Sequence, residues 1–319
     1  MKRSLVTILA LAALAAQAQP YPSRPVRLVV GFAPGGAADF VARTLGDPIG
    51  RALGQAIVVE NRPGAGSSIA VDYVAKSAPD GYTVLIASAS GMLVNPLLNP
   101  KLGYDGQRDF AAVTRVSASP LVIAVNPAVG AGTLRELIEY AKRNPGKLNY
   151  ATSGNGSVPH LATALFSRVA GVEMVHVPFK GGGPAVQSLV AGDTQLSIAT
   201  PPSVLPLVQA GRLRALAVTT RTRTPLVPGV PGMAEAGLPD YEASLWYGFF
   251  VPAGTPGEAV GRLFAATAKA LQLPEIHAAF AREGTAASGS SSPEEFAAFV
   301  AAESKLTARL VKDSGAKID

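Results

Sequence analysis

The chain has 319 residues, 48% of them hydrophobic, with no cysteine and a formal net charge of +6 at pH 7. The absence of cysteine excludes disulfide-stabilised folds, zinc–thiolate sites and cysteine nucleophiles. The basic excess is modest. The arginine cluster between residues 212 and 223 flanks an apolar stretch without interleaved aromatic residues, so we expect a solvated strand edge and no nucleic-acid partner.

The first twenty residues have the pattern of a secretory signal peptide. Lys2 and Arg3 form a basic start, residues 5–16 are a 12-residue apolar run, and Ala16-Gln17-Ala18 is a small-x-small cleavage site. The run is shorter than the roughly 20 residues needed to span a bilayer. We therefore expect residues 1–18 to be cleaved and the remaining chain to be exported without a lipid anchor.

Apolar stretches rich in valine, isoleucine and leucine alternate along the chain with amphipathic helical patterns. The stretches cover residues 26–30, 56–60, 83–88, 121–125, 174–179 and 214–218. Their lack of strict alternation predicts parallel strands covered on both faces. Helix starts are predicted where a serine or threonine precedes a glutamate by three residues, at Thr133, Thr255 and Ser292. These patterns indicate an α/β protein with two domains and doubly wound sheets.

Two glycine-rich corners follow predicted strands and precede predicted helices. The first is FAPGG, before a helix over residues 39–53, and the second is SGNGSVPH, in which Gly156 corresponds to Gly35. Ligands of doubly wound sheets lie beyond the carboxyl ends of the strands, and helix N-termini bind anions, so the pair predicts a carboxylate clamp. A tight turn alone would also explain each corner. Lys180 opens a third anion corner, KGGG, although it fits equally as a surface lysine.

Other polar residues near these corners have both a structural and a ligand-binding interpretation. Asp39 stands where a helix-starting acid belongs, or it would meet a ligand ammonium. His160 would either close the pocket or pack inside the protein, whereas His176 and His277 are expected to be structural. No two histidines have metal-ligand spacing, so no metal site and no cofactor is expected. A hydrolase triad of Ser157, His160 and Asp39 can be written down, but the loop lacks the GxSxG nucleophile elbow.

Several longer motifs occur in a fixed order along the chain. They include FAPGGAADFVARTLG, VVENRPGAGSSIA, SGNGSVPHLA, HVPFKGGGPAVQSLVAGD and VPGVPGMAEAGLPDYEASLWYGFFVPAGTP. In this order they resemble the tripartite tricarboxylate transporter substrate-binding proteins, the Bug or TctC family, over essentially the whole exported chain. The resemblance implies a type II periplasmic binding protein of the Venus flytrap kind, with two Rossmann-like lobes joined by two crossover strands. Lobe one would combine residues 20–122 with 221–319, and lobe two would span residues 123–220.

The resemblance also implies a site, because members of this family hold a small organic anion with backbone amides and ordered waters between the lobes. In lobe one the implied ligand-binding residues are Phe32, Pro34, Gly35, Gly36, Ala37, Asp39, Ser88, Ala89 and Ser90. In lobe two they are Ser153, Asn155, Gly156, Ser157, His160, Lys180, Gly181 and Thr200. The protein would be a periplasmic monomer and not an enzyme, and its partner would be a membrane permease of the tripartite tricarboxylate type. A sensor that presents the ligand to a membrane kinase would use the same pocket and stays an alternative.

Two departures from the family pattern bear on which di- or tricarboxylate or aromatic acid is bound. Gln195 stands where members often carry aspartate, with Asp193 two residues earlier. The SASGMLVNP segment is more apolar than the serine-, threonine- and asparagine-rich versions expected. Met92 and Leu93 therefore favour an apolar or aromatic carboxylate, such as a nicotinate-like compound, over citrate.

Overall fold

The computed structural model describes residues 21–316, so the expected signal peptide lies outside the described part of the chain. Residues 21–316 form two mixed β-sheets, of six and five strands, which are flanked by helices. The predicted α/β fold with two Rossmann-like units is confirmed. Within this range no helix combines the length and the apolar character needed to cross a membrane.

The first sheet is built from both halves of the chain. Its strands are β1 (Val26–Val30), β2 (Ile57–Asn61), β3 (Thr83–Ala87), β4 (Phe110–Pro120), β10 (Ser244–Pro252) and β11 (Ala286–Ala287). The strand order is β11-β4-β10-β3-β1-β2. β1 pairs parallel with β2 and β3, as its apolar run predicts, whereas β10 lies antiparallel between β3 and β4. The aromatic-rich strand β10 thus occupies the middle of this sheet.

Six helices accompany the first sheet. They are α1 (Ala37–Leu53), α2 (Ser68–Ala75), α3 (Asn95–Leu98), α8 (Gly257–Leu271), α9 (Pro274–Arg282) and α10 (Pro293–Ser314). α1 buries Val41, Leu45 and Ile49, which recur every four residues and form one apolar stripe. Pro48 lies inside α1 but well after its first turn, so the N-terminus of the helix is set by the glycine corner before it.

The second sheet has the strand order β7-β6-β8-β5-β9. Its strands are β5 (Val122–Val125), β6 (Asn149–Thr152), β7 (Val175–Pro178), β8 (Leu196–Ala199) and β9 (Arg214–Val218). Its helices are α4 (Leu134–Arg143), α5 (Val158–Ala170), α6 (Gly182–Ala191) and α7 (Pro201–Gln209). β6 is parallel to β7 and β8, but β5 is antiparallel to β8 and β9, so the prediction of parallel strands is wrong there. The reason is topological, because the chain enters this sheet along β5 and leaves it along β9.

The predicted helix caps form at two of the three positions. Thr133 Oγ1 accepts a hydrogen bond from Glu136 N at 3.2 Å, and Ser292 Oγ accepts one from Glu295 N at 3.1 Å. At Thr255 the predicted helix forms as α8, but the predicted cap does not, because the Thr255 hydroxyl donates to the carbonyl of Pro252 at 2.7 Å and the helix begins two residues later, after Pro256. The Pro252 carbonyl ends a strand and competes with the helix for that hydroxyl.

Thr219 forms hydrogen bonds to both segments of the chain that connect the two sheets. Leu121 is the residue between β4 and β5, where the chain moves from the first sheet to the second. Thr219 follows β9, and its Oγ1 accepts from Leu121 N at 2.8 Å and donates to Ala243 O at 2.6 Å. Ala243 directly precedes β10, where the chain is back in the first sheet. These three residues therefore lie where the chain passes between the two sheets, and we propose that the hinge of the two lobes is here.

The segment between Thr219 and β10 packs on the second sheet. Val227 lies in the same apolar cluster as Val218, and the Tyr241 hydroxyl donates to the carbonyl of Ala162 in α5 at 2.9 Å. The family resemblance implies that lobe one resumes at residue 221. We propose instead that lobe two comprises residues 122–243 and that lobe one resumes with Ser244.

Candidate functional site

A narrow cavity lies between the two sheets, where ligands of doubly wound sheets are expected. The volume of this cavity is about 20 Å³. Six lining residues are among those implied by the resemblance, namely Phe32, Gly36, Ala37, Ser90, Ser153 and Thr200. Eight others are not, namely Ala38, Pro159, Gly182, Ala185, Ser197, Ala199, Leu245 and Tyr247. Both sheets contribute to the walls.

The FAPGG corner presents the N-terminus of α1 to this cavity. Gly36 is the N-cap residue, its backbone is extended, and no side chain caps the helix there. Ala37 and Ala38 are the first two helical residues, and both line the cavity. An uncapped helix N-terminus carries unsatisfied backbone N–H groups and roughly half a positive charge, so it favours an anion.

Asp39 has a structural position in the first turn of α1. Its carboxylate accepts hydrogen bonds from Gly35 N (3.1 Å), Arg43 Nε (2.9 Å) and Asn61 Nδ2 (2.9 Å). Burial alone would raise the pKa of Asp39, but these hydrogen bonds outweigh it and hold the pKa below its usual value. Asp39 does not line the cavity, so it stabilises the corner and its acceptor sites are already used.

A second uncapped N-terminus belongs to α6, which begins after Lys180. Gly181 is the N-cap residue and provides no side chain, and Gly182, the first helical residue, lines the cavity. The two corners touch, because a Cβ added to Gly36 would lie 3.5 Å from Gly182 N and one added to Gly183 would lie 2.8 Å from Pro34 O. Lys180 contributes its carbonyl, which accepts from Ala33 N at 2.9 Å, while the residue itself is exposed.

In the SGNGSVPH corner, the backbone amides from Gly156 to His160 donate hydrogen bonds within the protein. Ser157 Oγ caps α5 by accepting from His160 N at 3.3 Å, and Gly156 N donates to His160 Nδ1 at 3.2 Å. The first helical amide, Val158 N, donates across the lobes to Ser90 Oγ at 2.9 Å. Within residues 21–316, three helices present an N-terminus without a side-chain cap at the cavity, namely α1, α6 and α7. Because α7 begins with Pro201 and Pro202, which have no N–H, the backbone donors come from α1 and α6.

His160 and His176 stack behind the SGNGSVPH corner. Their ring centroids are 4.1 Å apart and nearly parallel, and His176 Nε2 is hydrogen-bonded to Thr152 Oγ1 at 2.6 Å. Thr152 Oγ1 in turn accepts from Gly154 N at 3.2 Å. Burial and the neighbouring His160 lower the pKa of His176 to about 4, so the ring is neutral at pH 7. The pair supports the loop from behind and does not line the cavity.

The remaining implied site residues lie at contacts between the lobes or in the core. Asn155 O and Gly156 lie against Gly66 and Asn95 of lobe one. Ser88 is buried, and its Oγ accepts from Ser90 N at 3.3 Å. Ala89 lines a different cavity, next to α5 and α10. The implied site residues therefore lie near the cavity, but only some of them line it.

The GAGS segment of lobe one, which is absent from the predicted site residues, faces the SGNGSVPH corner. Ala65, Gly66 and Ser67 have φ values of 46°, 58° and 82°, so two non-glycine residues adopt the left-handed conformation. Asn95 Nδ2 donates to Ala65 O and Gly66 O at 3.2 and 2.9 Å and fixes this loop. Ser67 Oγ is buried and has no hydrogen-bond partner among residues 21–316. Backbone strain of this kind often occurs at ligand clamps. In the sequence, the pair of glycines in Gly64-Ala65-Gly66 was the pattern that could have indicated this loop.

Met92 and Leu93 lie in the hydrophobic core, 2% and 3% exposed, and do not line the cavity. Their apolar character therefore reflects packing in the core and gives no information about the ligand. The residues that do supply apolar wall from the first sheet are Phe32 and Leu245.

The three residues of the hydrolase alternative are each engaged elsewhere. Ser157 is fully buried and caps α5, and His160 Nδ1 accepts from Gly156 N. Asp39 is bonded to Gly35, Arg43 and Asn61 on the other lobe. Among residues 21–316, no group of three or more histidines and acidic side chains is placed to hold a metal ion.

Comparison with known proteins identifies the family of this chain. The model of the tripartite tricarboxylate transporter family receptor matches residues 41–316. Protein BugT of Bordetella pertussis is 39% identical over 302 residues, which cover 94% of this chain and 92% of BugT.

Two solved structures from R. palustris extend the agreement to three dimensions. A protein solved with adipate is 36% identical with a TM-score of 0.89, covering 93% of this chain and 100% of that chain. MatC, solved with bound malate, is 33% identical with a TM-score of 0.87, covering 91% of this chain and 100% of that chain. This chain therefore belongs to the TctC family of tripartite tricarboxylate transporter receptors.

Proposed function

We propose that the protein captures a small carboxylate between its two lobes in the periplasm and delivers it to a membrane permease of the tripartite tricarboxylate type. The observation that carries the proposal is the meeting of two helix N-termini with backbone N–H donors and no side-chain caps, those of α1 and α6, at one cavity. Together they offer an anion backbone donors from both lobes. The related structures solved with adipate and malate support a carboxylate as the ligand.

The contacts between the corners suggest how binding and closure are coupled. Two hydrogen bonds join the lobes at the cavity rim, from Ala33 N to Lys180 O and from Val158 N to Ser90 Oγ. Opening at the Thr219 hinge would break both bonds and admit the ligand. A carboxylate shared by α1 and α6 would favour the closed state, because both helices contact it only when the lobes meet.

Export and the partner follow from other features of the chain. The predicted signal peptide over residues 1–18 supports a periplasmic location. The closed state places surfaces of both lobes in one fixed arrangement, which a permease would recognise as the loaded form. The engaged side chains of Ser157, His160 and Asp39 support binding without chemical conversion of the ligand.

The proposal is tested by a thermal-shift and calorimetric screen of the purified protein against organic anions. The panel contains aliphatic mono-, di- and tricarboxylates, benzoate, nicotinate, and uncharged amides of the same acids as matched controls. We expect at least one acid, and not its amide, to raise the melting temperature and bind with 1:1 stoichiometry. Stabilisation by no acid, or equal stabilisation by acid and amide, would contradict carboxylate capture.

A further inference from the structure

A second cavity lies next to the carboxylate cavity and is also lined by both lobes. Its volume is about 380 Å³, which is within the range of small-molecule binding sites. α5 of lobe two and α10 of lobe one supply most of its lining, and β10 supplies Leu245 and Trp246. Among the lining residues within 21–316, Leu245 is the one that the two cavities share. The second cavity is therefore a separate site.

Most of the second cavity is lined by carbon atoms. α5 contributes Leu161 and Leu165, and α10 contributes Leu306 and Leu310. Leu306 is 49% exposed, so part of this apolar surface is left open to water. A molecule with an apolar body would cover that surface and gain hydrophobic stabilisation from doing so.

Thr307 is a polar residue on the same wall that lacks a partner. It lines the second cavity and is 4% exposed, and its hydroxyl has no hydrogen-bond partner among residues 21–316. A buried hydroxyl without a partner costs free energy, which a hydrogen bond to a bound molecule would recover. Thr307 Oγ1 therefore indicates a ligand with at least one polar group.

Two carboxylates give the second cavity a negative charge. Glu242 is exposed and Glu303 is half-buried, and both line the cavity. Glu303 Oε2 accepts a hydrogen bond from Trp246 Nε1 at 3.0 Å. Within residues 21–316 neither glutamate has an ion-pair partner, and no lysine, arginine or histidine lines this cavity. The charge of the cavity thus repels an acid and attracts a cation.

We propose that the second cavity binds a small molecule that has an apolar body and a protonated amine. The carbon part packs against the leucines of α5 and α10, and the ammonium group lies near Glu242 and Glu303. Thr307 Oγ1 accepts a hydrogen bond from the ammonium group, which has donors to spare. This site is additional to the proposed carboxylate capture and does not depend on it.

Tryptophan fluorescence measures occupancy of the second cavity directly. The chain contains one tryptophan, Trp246, and it lines this cavity. The purified protein is titrated at pH 7 with hexylammonium and with hexanol, which have the same carbon chain and differ in charge. We expect a saturable 1:1 change with hexylammonium, at an affinity about fivefold higher than that of hexanol. No saturable change with hexylammonium, or equal affinities for the two probes, would overturn the inference. Carboxylate capture is measured by its own acid screen and survives either result.

Two pairs of variants locate the bound cation. Leu306→Lys places a lysine ammonium at the cavity, and its control Ala308→Lys lies on the same helix, is exposed and does not line the cavity. Glu242→Gln removes one carboxylate, and its control Glu173→Gln is exposed and, like Glu242, lies two residues before a strand. We expect hexylammonium to bind about fivefold or more weakly to Leu306→Lys and about threefold more weakly to Glu242→Gln, with both controls unchanged. Parental affinity in either test variant, or the same loss in its control, would contradict the site.

Discussion

The first amide of α1 can be removed without removing the helix. Proline is well tolerated at the first position of a helix, where its missing N–H has no intrahelical partner, and Ala37 holds that position. Gly36 before it has φ −98° and ψ 175°, an extended conformation compatible with a following proline. Ala37→Pro therefore deletes one donor at the cavity and places a ring carbon where that N–H was.

The size of the effect follows from the bond that is lost. A hydrogen bond to a charged group contributes about 1.5–3 kcal/mol, which corresponds to a roughly 10- to 100-fold change in affinity. The rest of the anion site survives, because Ala38 and the N-terminus of α6 still face the cavity. We therefore expect Ala37→Pro to weaken carboxylate binding about 10-fold or more while the helix content stays that of the parent.

Calorimetry with a carboxylate that the unmutated protein binds measures the loss of affinity in Ala37→Pro. Circular dichroism measures the helix content. The matched control is Gly257→Pro, since Gly257 is also the first residue of a helix, follows an extended residue, is exposed and has open space around it. An affinity of Ala37→Pro within about twofold of the parent would refute the anion-binding role of this corner. Equal losses in both variants would instead indicate a general effect of proline.

Three further predictions concern closure, capping and pH. Gly183→Ala should weaken ligand binding and hold the lobes apart, because its Cβ would lie 2.8 Å from Pro34 O. Solution scattering should then give a larger radius of gyration for the variant with ligand than for the parent protein with ligand. The control Gly261→Ala, whose Cβ would lie in open space, should change neither quantity. Ser157→Ala removes the cap of α5 and should lower the free energy of unfolding by about 1 kcal/mol in urea titrations; an unchanged midpoint would show that Ser157 is not an effective cap. The pKa of His176, about 4, lies below that of an unfolded histidine, so the unfolded state binds the proton more readily and stability should fall as pH drops from about 6.5 towards 4. His176→Gln should flatten that dependence, and an unaltered pH profile would assign it to other groups.

Local sequence patterns were sufficient to predict the FAPGG corner and the α/β architecture. The β1–α1 corner was identifiable because an apolar strand, a glycine turn and an amphipathic stripe follow one another in a short stretch of chain. The capping pairs at Thr133 and Ser292 were identifiable for the same reason, since both partners lie within three residues. At Thr255 a strand-end carbonyl competed for the hydroxyl, which depends on tertiary structure.

Sequence alone could not show which of the SGNGSVPH and KGGG corners leaves backbone N–H groups free for an anion. Both sequences have a glycine loop before a helix, but Ser157 caps its own helix and Val158 N is taken by Ser90 from the other lobe. Leu245 and Tyr247 could not be assigned from sequence either, because β10 returns to the first sheet from a distant part of the chain. The apolar residues Met92 and Leu93 were misleading, since burial in the core and exposure to a cavity produce the same hydrophobic pattern.

The glycine contacts between the corners have a consequence for how this protein can diversify. Where α1 and α6 meet, the fit depends on main-chain atoms and on missing side chains, as at Gly183 against Pro34 O. Leu245 and Tyr247 lie on a strand that takes no part in that contact. Mutation on β10 can therefore alter which molecule is accepted while the closing movement is inherited unchanged. Under the proposed function, gene duplication followed by mutation at a few wall positions would change the ligand without changing the contact between α1 and α6.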